Sequence, residues 1–246
     1  MKTPALLSLL FVAGLAASAD AALYLGNGRT GFGGAMGGGS LAITDDGNNL
    51  FFTLTRGAGT FNDTLVIYFD TNTGGATAYP ASGEVGSPFV GRRAVVNEFG
   101  SGIVFGGGFS SDFGFALKVN GSASNHLFTT PSGANANTLG FVATEAVTNF
   151  GNTSAATYSW SIPFSQLGID PGDTFTFTTT YLNPNDGSGS DASFRSNEAF
   201  GYDFGATNPG FSGVTVSTPL SYTTTPEPAV AVLGAFGLLT ILRRRK

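Results

Sequence analysis

The chain has 246 residues, with 37 Gly, 23 Phe, no Cys and a formal net charge of −5. Without cysteine it can form no disulfide and carry no lipid on a thiol, and its few basic residues exclude the cationic face that nucleic-acid phosphates demand. Lys, Glu and Met are scarce while Phe, Thr and Gly abound, which points to an all-β chain.

Lys2 is followed by an apolar run from Ala5 to Ala17, broken by Ser8 and Gly14, and then by Ser18, Ala19, Asp20, Ala21 and Ala22. A charged start, an apolar segment of this length and small residues at the cut form a secretory signal. Cleavage fits after Ala19 or after Ala21, so residues 1–21 are expected to be a signal helix and the chain to be exported. As a permanent anchor the run is too short. Setting this segment and the C-terminal tail aside leaves about 200 residues, enough for one large domain, expected at 22–216. Its six basic and fourteen acidic residues leave a charge near −8.

The segment 23–40, LYLGNGRTGFGGAMGGGS, predicts a short strand at Leu23–Leu25 and then a loop. Gly26, Gly28 and Gly31 match G-x-G-x-x-G, but that motif binds nucleotides only between a strand and a helix, and here more glycines follow. Leu41–Thr44 and Leu50–Thr55 read as strands, with Asp46-Gly47 turning between them. Leu65–Phe69 is an unbroken apolar run, the pattern of a strand buried on both faces. Phe113, Phe115, Leu117 and Val119 alternate, Asn120-Gly121 turns the chain, Leu127–Thr130 pairs back, and a further strand lies near Phe141. Tyr158, Trp160 and Ile162 alternate up to Pro163, and Ser165-Gln166-Leu167 forms a turn. Asp170-Pro171-Gly172-Asp173 leads into Thr174–Tyr181, and the segments ASFRSNEAFGYDF and GVTVST supply two more strands. Nine to twelve short strands with turns between them predict a β-sandwich, jelly-roll-like.

The succession ITDDGNNLFFTLT, LVIYFDTNTGG and YSWSIPFSQLGIDPGDTFTF resembles the DOMON/family 9 carbohydrate-binding β-sandwich over roughly Leu41–Tyr181. The resemblance lies in strand and turn order. It implies a sandwich of a kind that binds sugars, cofactors or nothing known.

The chain closes with a polar linker, 217–225, then Pro226-Glu227-Pro228, the apolar run Ala229–Leu242, and Arg243, Arg244, Arg245 and Lys246. Fourteen apolar residues make a helix of roughly 21 Å, short against a hydrocarbon core of about 30 Å, but snorkelling arginines and local thinning close the gap. A single transmembrane helix at 229–242 is therefore expected, with the four cations of 243–246 as a membrane stop that stays in the cytoplasm. The two prolines keep the segment before it extended. Residues 226–246 resemble the PEP-CTERM sorting signal of exopolysaccharide-producing Gram-negative bacteria. That resemblance implies recognition by an exosortase, a membrane peptidase-transferase that cuts near the motif, after passage through the export machinery and the inner membrane.

Few residues in the body offer chemistry. His126 is the one histidine, in a hairpin flank, with no cysteine to make a second zinc ligand. Asp70, Asn72 and Gly74 form one loop of oxygen donors; Asn183, Asn185, Asp186 and Asp191 form another that could hold calcium, although turns use the same residues. No other cofactor is expected. Glu84, Glu98, Glu145 and Glu198 show no pairing of the kind that glycoside hydrolysis needs. Trp160 and Tyr181 could stack on sugars, but Trp160 sits on the alternating apolar face and is expected in the core. The expectation is a non-enzymatic exported sandwich at the cell surface or in the exopolysaccharide matrix, with exopolysaccharide as a candidate partner. Its rivals are a secreted hydrolase of matrix polysaccharide and a ligand-free structural component.

Overall fold

The computed structural model describes residues 21–72, 74–79, 90–97, 102–120, 125–135, 137–184 and 193–226. The expected signal segment up to residue 20, the span 229–242 and the basic stop 243–246 lie outside them. Among the described residues no helix is long and apolar enough to cross a membrane.

The strands are β1 (Ala22–Leu25), β2 (Ser40–Asp45), β3 (Asn49–Thr55), β4 (Thr64–Asp70), β5 (Ala78–Tyr79), then after helix α1 (Val90–Val96) β6 (Ile103–Phe105), β7 (Phe113–Leu117), β8 (Asn125–Thr129), β9 (Gly140–Thr144) and β10 (Thr157–Pro163). Helix α2 (Phe164–Leu167) precedes β11 (Thr174–Asn183), β12 (Phe194–Arg195), β13 (Val214–Val216) and β14 (Leu220–Thr223). The chain is all-β and sandwich-like. One sheet has the order β1-β2-β3-β10; the central sheet runs β12-β11-β4-β7-β8-β9 with β14 also on β11; a small third sheet is β13-β6-β5. The chain changes sheet between β3 and β4 and again between β10 and β11, and the partners pair on both sides, β3 with β10 and β4 with β11.

Period-two alternation builds the layers. Leu50, Phe52 and Leu54 of β3, with Tyr158, Trp160 and Ile162 of β10, point inward against Leu65, Ile67 and Phe69 of β4 and Phe115 and Leu117 of β7. Trp160 is 4% exposed and stacks on Phe52 at 5.2 Å and on Phe115 at 5.4 Å, so it is core, as its alternation predicts. The intervening residues of the central sheet, Val66, Tyr68, Ala116 and Phe128, bury against a second cluster containing α1 and the small sheet. Two cores explain why Leu65–Phe69 shows no polar position: both of its faces are covered.

Helix α1, the short strands β5 and β6, and the stretch 217–225 depart from expectation. Helix α1 was not foreseen; Val95 packs so closely on Gly114 of β7 that a Cβ there would collide with it, and the Tyr68 hydroxyl donates to the Val95 carbonyl at 2.8 Å. The stretch 217–225, expected to be a linker, instead carries β14. Thr223 pairs with Thr174 and Leu220 with Phe177, because Tyr222 packs its ring on Phe175 at 5.8 Å. The turn expected at 165–167 is the single turn α2, closed by Gly168 in the left-handed region (φ 63°), where glycine meets no Cβ clash.

Candidate functional site: a cleft beside the glycine-rich loop

The segment 26–39 is an ordered coil wound around one carboxylate. Glu198, fully buried, accepts N–H bonds from Phe32 (2.6 Å) and Gly34 (2.9 Å) on Oε1, and from Met36 (2.8 Å) and Gly37 (3.2 Å) on Oε2. Four converging donors offset the cost of burying a carboxylate that has no ion-pair partner among the described residues. The glycines are needed for close approach: a Cβ at Gly37 would collide with the Arg29 carbonyl, and one at Gly31 with the Asn208 side chain. In the G-x-G-x-x-G match, Gly26 and Gly31 are packed too closely for a Cβ, while Gly28 takes a positive φ of 76° in open space.

Outside this coil lies an open cleft of about 360 Å³, lined by residues 28–31 together with Asn197 and residues 206–208. Asn197 is 3% exposed. Its Oδ1 accepts the Gly31 N–H at 3.0 Å, and its Nδ2 donates to the carbonyls of Gly205 and Ala206 at 3.2 and 3.1 Å. Asn208 Oδ1 accepts the Asn197 N–H at 2.9 Å while its Nδ2 donates to the Gly31 carbonyl at 3.3 Å. The two amides thus clamp loop 28–31 to loop 205–208. Asn27 ties in a third point, donating to the carbonyls of Asn197 and Tyr202 at 2.7 and 2.8 Å.

At the rim, Arg29 grips Asp203 through both carboxylate oxygens, at 2.8 and 2.5 Å. The Arg29 hydrogen bond, aided by the Gly205 N–H, holds the Asp203 carboxyl down to about 2. A carboxylate so stabilised is a poor general base at neutral pH, and Glu198 has both oxygens occupied. The lining offers the Thr30 and Thr207 hydroxyls, backbone groups and Arg29, whose charge is paired with Asp203, while the Asn197 and Asn208 amides are taken up by the clamp.

A ladder of rings links Tyr181 to Phe211. Tyr181 meets Phe32 edge-on at 5.5 Å, Phe32 stacks with Phe194 at 6.0 Å, and Phe194 meets Phe211 edge-on at 5.0 Å. Tyr181 is fully buried at one end and Phe211 is 60% exposed at the other. Phe32 follows the cleft residue Gly31 in sequence and Phe211 lies three residues after Asn208, while Tyr181 belongs to β11 and Phe194 to β12. A second open cleft, about 450 Å³, lies among Asn48, Asn49, Pro163, Phe164, Asp170 and Pro171.

The residues singled out from sequence lie elsewhere. His126 is half-buried, with Nδ1 2.8 Å from Thr144 Oγ1, edge-on to Phe128 and Phe141, and burial lowers its pKa. Asp70 accepts the Ser110 N–H at 3.0 Å, and Asp112 accepts those of Thr71 and Asn72 at 2.8 and 2.7 Å, which is turn bonding. Asn183 ends β11 opposite Phe194; Asn185, Asp186, Asp191, Glu84, Glu98, Glu227 and Pro228 lie outside the described residues. Glu145 is 9% exposed, and burial raises its pKa. Among the described residues no three His, Cys, Asp or Glu side chains gather to hold a metal. Reading the sequence missed Arg29, Asn197, Asp203 and Asn208 and gave Glu198 no role, because the partners that assemble the site on residues 27–37 lie far away along the chain. Neither a protein-family model, nor a curated protein, nor a solved structure matches this chain.

Proposed function

We propose that this chain is an exported, non-enzymatic, jelly-roll-like sandwich protein, processed at Pro226-Glu227-Pro228 by an exosortase and sorted to the cell surface or the exopolysaccharide matrix. The observation that carries this reading is the order of parts in the sequence: a charged start, an apolar run and small residues at 17–22 at one end, and Pro226-Glu227-Pro228, the apolar run Ala229–Leu242 and Arg243–Lys246 at the other. A non-enzymatic role is supported by the state of the carboxylates nearest the cleft, one enclosed by backbone donors and one locked to Arg29.

Intact-mass measurement on surface protein from a strain that contains an exosortase tests the reading. The expected mass lacks both residues 1–19 (or 1–21) and the tail from about Pro226. Glu227→Ala should insert normally, because the apolar run and basic stop are unchanged, yet accumulate uncut in the membrane. Wild-type surface molecules that retain Lys246 would sink the sorting reading.

A further inference from the structure

We infer that β14 and the two threonines after it form an autoinhibitory strap, which shields the tail's processing motif from a peptidase until β14 leaves β11. The inference deepens the proposed function, as regulation of the same cut, and rests on it. Three observations point the same way. The first is where the fold lets go of the chain. Thr224 is 1% exposed; its N–H donates to the Asp173 carbonyl at 2.8 Å and its hydroxyl to the Asp170 carbonyl at 2.9 Å. Thr225 is half-buried, with its N–H and hydroxyl on the Asp45 carboxylate, and Pro226 is exposed. Pro226 still lies against loop 170–173, since a Cβ added to Gly172 would come within 3.9 Å of its Cα. The boundary of the fold therefore runs between Thr225 and the motif itself.

The second is reach. On the proposed topology the bilayer begins at Ala229, so only Pro226, Glu227 and Pro228 stand between the last clamped residue and the membrane, at most about 10 Å of extended chain. A peptidase grips its substrate as an extended strand on both sides of the bond it cuts, through main-chain hydrogen bonds. The residues on the N-terminal side of the motif are Thr223, Thr224 and Thr225. Thr223 is paired with Thr174 of β11, and the next two are bonded to Asp173 and Asp45. Backbone groups committed to the fold cannot also serve an enzyme.

The third is how the strap opens. Strand β14 has β11 as its ladder partner over four residue pairs, and Asp45 of β2 gathers the Tyr222 hydroxyl and both Thr225 donors. A unit this small opens by local unfolding while the rest stays folded. Cutting of such a segment tracks the population of its open form. The delay before the tail is cut is then set by this chain rather than by the enzyme.

A disulfide lock tests the strap. The chain has no cysteine, and the Thr174 and Thr223 hydroxyls lie 2.7 Å apart across the ladder, so Thr174→Cys with Thr223→Cys sets a single bridge between β11 and β14. The purified full chain in mild detergent is treated with subtilisin, and mass spectrometry follows products that end between Thr224 and Ala229. The oxidised double variant should be cut about tenfold more slowly than the same protein after reduction, and Asp45→Ala about five- to thirtyfold faster than the parent. Pulse-labelling in a strain that contains an exosortase should give the same order, with uncut precursor of the double variant chased to product once dithiothreitol is added. Equal cutting of the oxidised and reduced forms, by subtilisin or by the cell, would overturn the inference and leave tail sorting standing. A parent whose tail the cell never cuts, while subtilisin keeps the expected order, would remove the sorting reading and leave the strap.

Discussion

Four backbone N–H groups converge on Glu198, and an amide cannot replace it. In Glu198→Gln one oxygen becomes an NH2, so two of the four donors face another donor. The expected loss is about 2–3 kcal/mol, the scale of buried hydrogen bonds to charge that are broken and left unpaired. Urea unfolding checks it, and a loss below about 1 kcal/mol would mean the loop holds itself. Arg56 is the opposite case, a cation wrapped in carbonyls: it donates to those of Ala155, Gly57, Ala58, Gly59 and Ser154. One side chain fastens the end of β3 to the segment entering β10. Asp203 supplies a pH prediction. Its pKa falls from an ordinary 3.8 to about 2 through the Arg29 hydrogen bond, so the pair's stabilisation is present above about pH 4 and is lost as pH falls through about 2. Carboxyl carbon NMR should find this titration near 2, and a midpoint near 4 would show that the rim pair does not persist in solution.

At the scale of elements, β14 is held by side chains as much as by its ladder. Asp45 accepts the Tyr222 hydroxyl at 2.7 Å and the Thr225 hydroxyl and N–H at 3.1 and 3.0 Å, and the Tyr24 hydroxyl donates to the Ser221 carbonyl at 2.6 Å. Asp45→Ala should cost about 1–2 kcal/mol and let β14 fray before the rest. Hydrogen exchange should then speed up at Thr225 and along β14 while β4 stays protected; uniform exchange would contradict it. The strands that were legible in sequence are those whose packing is written locally. Leu65–Phe69 is an unbroken apolar run buried on both faces, as its pattern says. Phe113, Phe115 and Leu117 alternate although β7 is also buried on both faces, because the residues between them, Gly114 and Ala116, are small and pack under α1 and the second core. Helix α1 escaped because Val90–Val96 is too short for a helical period to declare itself. Strand β14 escaped because threonines suggest a spacer, although Leu220 and Tyr222 do alternate.

At the scale of the whole molecule, the candidate site was the least legible part. Glu198 bonds residues 161 to 166 positions away, and no spacing rule in a single sequence links such distant partners. Glycine-richness read as a shapeless loop because its cause, backbone packed on backbone, is invisible until the fold closes. The position of β14 has one more consequence, for how the molecule carries load. Strand β14 lies on the side of β11 away from β4. A pull applied through Pro226 strains the Asp45 contacts first and then opens the β11–β14 ladder from its Thr174–Thr223 end, drawing Tyr222 off Phe175 at the edge of the core while the β4–β11 pairs stay closed. The last strand is thus a mechanical fuse: tension on the chain's end is spent peeling four residue pairs that can close again when the pull relaxes.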